Sequence, residues 1–151
     1  MTRAITRGVR LDVGHGSASF SFAVAKQAIG LGILPHTISS DIYCRNRIDG
    51  PVRSLANVMS KFLAIGLSLP QVIACVTDHA ANGLRLAKKG RLAVGFDADL
   101  TIFDLRRQPV LFTDAENSAL QADQLLTPLA AIRAGRGYLT EQGRAEHVFD
   151  L

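Results

Sequence analysis

The segment between residues 9 and 40 constrains the fold most, because two apolar runs in it flank one helical pattern. The first run, Val9–Val13, predicts a buried strand, and the second, Thr37–Ser40, predicts another. Between them, apolar residues recur at helical spacing from Ser19, the predicted N-cap, to Leu31. Two strands joined by so short a helical crossover lie side by side and parallel. The segment therefore predicts an α/β fold.

The pattern of the chain changes near residue 90. Before it, helical patterns predominate, with Ser54 as the predicted N-cap of one helix and Pro70 at the start of the next. After it, short alternating runs broken by Gly, Pro and Asp predict antiparallel strands. A polar loop is expected near residue 114, and residues 119–126 are compatible with a short helix. The predicted strands are 100–103, 111–113, 129–133, 137–140 and 147–149.

The composition and charge of the chain argue against a membrane protein and against a nucleic-acid-binding protein. Hydrophobic residues make up 48% and charged residues 20%, as in folded globular domains. No apolar run approaches the roughly 18–20 residues that cross a bilayer, and no signal peptide is recognisable, so we expect a cytoplasmic protein without a membrane partner. The net charge is +4, but the basic clusters lack interleaved aromatic residues, which argues against nucleic acid as a partner. Cys44 and Cys75 are isolated and are expected to be free thiols.

Two loops follow the predicted parallel strands at their carboxyl ends, where the catalytic groups of parallel α/β proteins lie. One loop carries Asp12 and His15, with Gly16 behind the histidine, and the other carries Asp41. An imidazole and a carboxylate can bind a metal or act in acid–base catalysis. From spacing alone, structural alternatives stay open: Asp41 as a cap or turn former, and Asp12 as a strand-end acceptor. The other histidines lie away from both loops and are predicted to be structural: His36, His79 and His147.

A motif at the change in pattern resembles a known family. Residues 90–104, GRLAVGFDADLTIFD, are similar to the segment at which amidohydrolase-superfamily enzymes leave their catalytic barrel and enter a small β-sandwich domain. Asp12–Phe22 and Thr37–Tyr43 resemble the loops after the seventh and eighth barrel strands of the deacetylase and dihydroorotase-like branch. Residues 60–64 and 76–81 are also similar to that branch. The resemblance therefore covers almost the whole chain.

The resemblance implies a fold and a function. It places the last two βα units of a TIM-type (β/α)8 barrel in residues 1–89 and part of a β-sandwich domain in residues 90–151. It implies an amidohydrolase or deacetylase that acts on a small-molecule amide or ester, with zinc or another divalent metal as cofactor. By the resemblance, Asp41 is a metal ligand and the catalytic general base, and His15 and Gly16 bind substrate.

The sequence departs from the family pattern at the remaining metal ligands. It contains no HxH pair, and its similarity begins just before the seventh strand. Catalytic zinc needs about three protein ligands, so we expect weak metal binding and no hydrolysis by this chain alone. The alternative to an enzyme is a noncatalytic truncated fragment, or a subunit whose partner supplies the other ligands. Because two strands cannot close a barrel, the expected protein partners are a second copy or a complementing barrel chain.

Overall fold

The computed structural model describes residues 2–44, 48 and 50–145. It is a mixed α/β structure with one parallel pair of strands and one antiparallel sheet. In the part so described, no helix is both long and apolar enough to cross a membrane. The elements in chain order are α1 (Thr2–Thr6), β1 (Asp12–Gly14), α2 (Phe22–Gly30), β2 (Thr37–Ser39), α3 (Leu55–Ala64), α4 (Leu69–Val76), α5 (Asp78–Gly83), β3 (Leu100–Thr113), β4 (Ala119–Arg133), β5 (Arg136–Leu139) and α6 (Glu141–Ala145).

The predicted parallel pair is confirmed. β1 and β2 pair in parallel register, with Val13 opposite Ile38. The predicted start of the intervening helix was wrong, because α2 begins at Phe22 with Ser21 at its N-cap, and Ser19 lies in the preceding turn. The N–H of Phe22 donates to the carboxylate of Asp114, so a contact distant in sequence determines where this helix starts.

The two helices after residue 54 begin as their caps predict. Ser54 Oγ accepts the N–H of Asn57 at 3.0 Å, and Pro70 lies in the first turn of α4. The core lies where α3 and α4 pack against β2 and against the β3–β4 hairpin. Burial of each large side chain there contributes about 1.5–3 kcal/mol. This continuous core includes Phe20, Ile38, Val52, Val58, Phe62, Val72, Phe112 and Leu126.

The predicted antiparallel strands are confirmed, although they are longer than the sequence patterns suggested. The runs at 100–103 and 111–113 belong to one strand, β3, which pairs with β4 from Leu100 to Thr113. The register shifts where Pro109 lies and again where Phe103 pairs with Pro128. A proline has no N–H to donate, so irregular pairing at these positions preserves the rest of the ladder.

The expectation of a short helix at residues 119–126 was wrong. In β4, Leu120 and Ala122 turn towards the core while Gln121 and Asp123 are exposed, which is the alternation of a strand. Pairing with β3 outweighs the local helical tendency. The short helix α6 was not predicted, and the strand predicted at 147–149 lies outside the described residues. The described part of residues 90–151 contributes one antiparallel sheet, so the β-sandwich and the boundary at residue 90 stay predictions.

The motif that begins at Gly90 has a structural role. Lys89 forms ion pairs with Asp97, at 2.9 Å, and with Asp99. Asp99 also accepts the N–H of Ala134 in the β4–β5 turn at 2.8 Å. Gly90 has a φ of +79°, and a Cβ there would lie 2.6 Å from the carbonyl oxygen of Thr77. The motif thus fixes the connection between the helices and the antiparallel sheet.

Candidate active site

The two loops singled out in the sequence meet at the carboxyl edge of the parallel pair. The N–H of His15 donates to Ser39 O at 3.3 Å, and that of Gly16 donates to Ser40 O at 3.2 Å. Asp41 follows directly, with a left-handed φ of +48°. A Cβ built on Gly16, whose own φ is +53°, would lie 2.7 Å from Asp41 Oδ2. The carboxylate of Asp41 therefore lies against the backbone of Gly16, where a Cβ would displace it and where the left-handed φ also favours glycine.

Asp12, the second carboxylate at this edge, is a strand-end acceptor, as one of its alternatives predicted. Its Oδ1 accepts the hydroxyl of Thr37 at 2.6 Å, and its Oδ2 accepts that of Ser39 at 2.7 Å. These bonds join the start of β1 to both ends of β2 and occupy both carboxylate oxygens. Asp12 therefore has a structural role, and Asp41 stays the candidate for chemistry that the resemblance implied.

His15 lies beneath the loop and is fully buried. Its Nδ1 is 3.0 Å from Gly16 O, its Nε2 is 2.8 Å from Lys61 Nζ, and its ring stacks on Phe20 at 4.6 Å between centroids. Burial lowers the pKa of His15, although the bond to Gly16 O works against that shift. Both ring nitrogens thus have protein partners. Substrate binding by this side chain stays a prediction, and the structure places the ring on the protein side of the loop.

Lys61 is a residue of this site that reasoning from spacing did not identify. Its Nζ, fully buried, donates to His15 Nε2 at 2.8 Å and to the carbonyl oxygens of Pro51 and Thr113, each at 2.7 Å. Burial lowers the pKa of Lys61 to about 8, although the carboxylate of Asp114 favours the charged form. A signal was present in the sequence, because Lys61 lies on the apolar face of α3. A lysine in such a position needs buried acceptors.

Asp114, at the tip of the β3–β4 hairpin, is a second buried charge outside the predicted site. Its Oδ2 accepts the N–H of Phe22 at 2.8 Å, and its Oδ1 accepts those of Glu116 at 2.9 Å and Ser118 at 2.8 Å. Burial would raise the pKa of Asp114, but these backbone bonds outweigh it and lower the pKa. Through Phe22, the hairpin tip holds the end of the His15 loop.

The residues that the structure describes do not by themselves make up a metal centre. In the described ranges, no group of three or more His, Cys, Asp and Glu residues is arranged to hold a metal ion. Asp41 can contribute one carboxylate, while the nitrogens of His15 bond to protein groups. His36 and His79 stack on each other at 4.6 Å, in keeping with their predicted structural role. Further ligands would have to come from outside the described part of the chain.

The amino-acid sequence is similar to a protein family and to individual proteins of known name. The model of the amidohydrolase family matches residues 21–133. A deacetylase from Enterococcus faecalis is 40% identical over 136 residues, which are 90% of this chain and 37% of the relative. A deacetylase from Brucella anthropi is 41% identical over 130 residues, 86% of this chain and 32% of the relative.

Two solved structures are also similar to this chain over most of its length. The crystal structure of an adenine deaminase matches with a TM-score of 0.90 at 39% identity, over 92% of this chain and 38% of that chain. That of a dihydroorotase matches with a TM-score of 0.83 at 37% identity, over 92% of this chain and 37% of that chain. This chain therefore spans between 32% and 38% of the length of these relatives.

Proposed function

The chain belongs to the amidohydrolase family, and on that basis we propose that it is the C-terminal part of a metal-dependent hydrolase that cleaves an amide or ester bond in a small molecule. The observation that carries the proposal is the position of Asp41 at the carboxyl edge of β2, with its carboxylate against the backbone of Gly16. The two deacetylase relatives support a deacetylase-type reaction in particular.

In the proposed reaction, Asp41 is the general base. It takes a proton from the water that attacks the substrate carbonyl and returns it to the leaving group, a role that side-chain carboxylates fill in many hydrolases. The cofactor of the complete enzyme is proposed to be zinc or another divalent metal, to which Asp41 would contribute one carboxylate. Gly16 and His15 are proposed to bind substrate, as the resemblance implies, with the backbone of Gly16 lining the site and His15 contributing from beneath the loop.

The alternative is a noncatalytic fragment, or a subunit that needs a partner chain. The incomplete donor set among the described residues favours this alternative for the chain by itself. The hypothesis of a subunit and the hypothesis of a noncatalytic fragment make different predictions for a protein reconstituted with a complementing chain. A complementing chain that supplies the missing ligands would restore turnover in a subunit, whereas a degenerate fragment would stay inactive with every complement.

The test is complementation. The full chain is co-expressed with the portion of the Enterococcus faecalis deacetylase that it does not match, and the purified complex is assayed for acetate release from N-acetyl amides and O-acetyl esters. We expect turnover from the complex and none from the chain alone. Asp41→Asn should lower kcat by at least about 100-fold, as expected for loss of a general base.

Asp12→Asn is the matched control, since it removes the other carboxylate at the same edge and should leave turnover within a few-fold of the wild type. Equal turnover with Asp41→Asn would refute the role of Asp41. A complex that forms and retains zinc but hydrolyses neither class of substrate would refute the proposed hydrolase.

A further inference from the structure

The hydrogen bonds around His15 specify which of its nitrogens carries the proton. Gly16 O is a carbonyl oxygen and can only accept, so Nδ1 must be the donor in their 3.0 Å contact. A neutral imidazole then has a bare Nε2, which accepts from Lys61 Nζ at 2.8 Å. The Lys61 ammonium has three hydrogens, and the other two go to Pro51 O and Thr113 O. Every donor and acceptor of this buried group is therefore paired.

We propose that Lys61 is a positioning residue of the candidate active site. It holds the His15 ring as the Nδ1–H tautomer, and through the bond from His15 to Gly16 O it fixes the backbone against which the Asp41 carboxylate lies. The importance of Asp41 for catalysis rests on the proposed function, whereas the tautomer and the loop position do not.

The physical reason is the cost of leaving a buried polar atom unpaired. Without the Lys61 donor, Nε2 would remain as a bare acceptor away from water, which costs about 1–3 kcal/mol. The ring could avoid that cost by moving its proton to Nε2 and donating it to Pro51 O or Thr113 O, the two carbonyl oxygens that also lose the Lys61 donor, but it would then lose its bond to Gly16 O. Lys61 also links Pro51 and Thr113, so the ring is anchored to the loop before α3 and to the end of β3.

The experiment uses the full chain with ¹⁵N-labelled histidine and measures the ring nitrogens by NMR at pH 7, with His15 assigned from a His15→Gln variant. We expect a protonated Nδ1 and an unprotonated Nε2 at His15 in the wild type. Lys61→Met retains an apolar stem and removes the donor. It should shift His15 towards the Nε2–H tautomer and speed hydrogen exchange of the Gly16 amide about tenfold, as the loss of roughly one buried hydrogen bond implies.

The control is Lys26→Met, which removes an exposed lysine from α2 and should change neither signal. A purely structural role for Lys61 would speed exchange in the β3–β4 ladder as much as at Gly16, and that outcome would overturn the proposal. So would an unchanged tautomer in Lys61→Met. If Lys61→Met does not fold, the NMR spectrum of the wild type is sufficient to test the proposal. An Nε2–H or doubly protonated His15 in that spectrum would contradict it without any variant. None of these measurements needs metal or turnover, so they can succeed even where the hydrolase proposal fails.

Discussion

Replacing Asp114 with asparagine tests whether the hairpin tip holds the candidate active site. The carboxylate accepts three backbone N–H groups, two through Oδ1 and that of Phe22 through Oδ2. In Asp114→Asn, one of these oxygens becomes an NH₂ group. Whichever way the amide turns, at least one backbone donor loses its acceptor, and the ionic character of the remaining bonds is lost.

The expected cost follows from those bonds. A hydrogen bond to a charged group contributes about 1.5–3 kcal/mol, and a buried donor left unpaired costs a similar amount. We therefore expect Asp114→Asn to lower the free energy of unfolding by about 2–4 kcal/mol, a large part of a typical ~5–15 kcal/mol. For a chain of this length that corresponds to a fall in Tm of roughly 4–16 °C.

The assay is urea unfolding of wild type and variant at one protein concentration, because association would change the apparent stability. The pH dependence has a definite sign. The pKa of Asp114 is lowered in the folded chain, so its stabilisation is present above its unfolded value of about 3.9 and is lost as the pH falls through the folded value. Asparagine does not titrate, so the difference in stability should be largest at neutral pH and shrink in acid below about pH 4.

Glu116→Gln provides the matched control. Glu116 is an exposed carboxylate on the same turn, and it accepts the hydroxyl of Ser21 at 2.8 Å. Its substitution should change the stability by less than about 0.5 kcal/mol. Equal urea midpoints for wild type and Asp114→Asn, or a difference that does not depend on pH, would refute the reasoning.

Three further predictions test the loop, the metal site and the association of the chain. Gly16→Ala places a Cβ 2.7 Å from Asp41 Oδ2 and should cost about 1–2 kcal/mol more than Gly32→Ala, where φ is also positive but nothing lies within 4 Å; equal costs in urea would show that the contact with Asp41 is unimportant. After dialysis, elemental analysis should find far less than one zinc per chain, because one carboxylate leaves the ion mostly hydrated; a stoichiometric content would contradict this. Val9 and Leu34, which precede β1 and β2, are 47% and 43% exposed, and in the described part of the chain each of these strands has one unpaired edge. Light scattering at micromolar concentration should therefore give a mass above 16.2 kDa, and a monodisperse monomer with a cooperative melt would rule out association through these strands.

Local patterns in the sequence were sufficient for the elements that position the site. The apolar runs around Val13 and Ile38 and the short crossover between them predicted the parallel pair, because hydrophobic periodicity and connection length act within a few turns of chain. The same reasoning put Asp41 and Gly16 at one edge of the sheet, where they lie together. The cap at Ser54 was equally local, since its partner is three residues away.

The tertiary structure determined those features that depend on residues far apart in the sequence. The ring of His15 is buried because Lys61, 46 residues later, meets its Nε2, and α2 starts at Phe22 because Asp114, 92 residues later, accepts its N–H. The strands β3 and β4 continue through the polar residues at the middle of their hairpin, because each strand supplies the other with backbone hydrogen-bond partners. A sequence pattern records which residues are apolar and how they are spaced, but a buried lysine or aspartate is stable only where the folded chain brings acceptors or donors to it, and those came from segments that no local pattern connects.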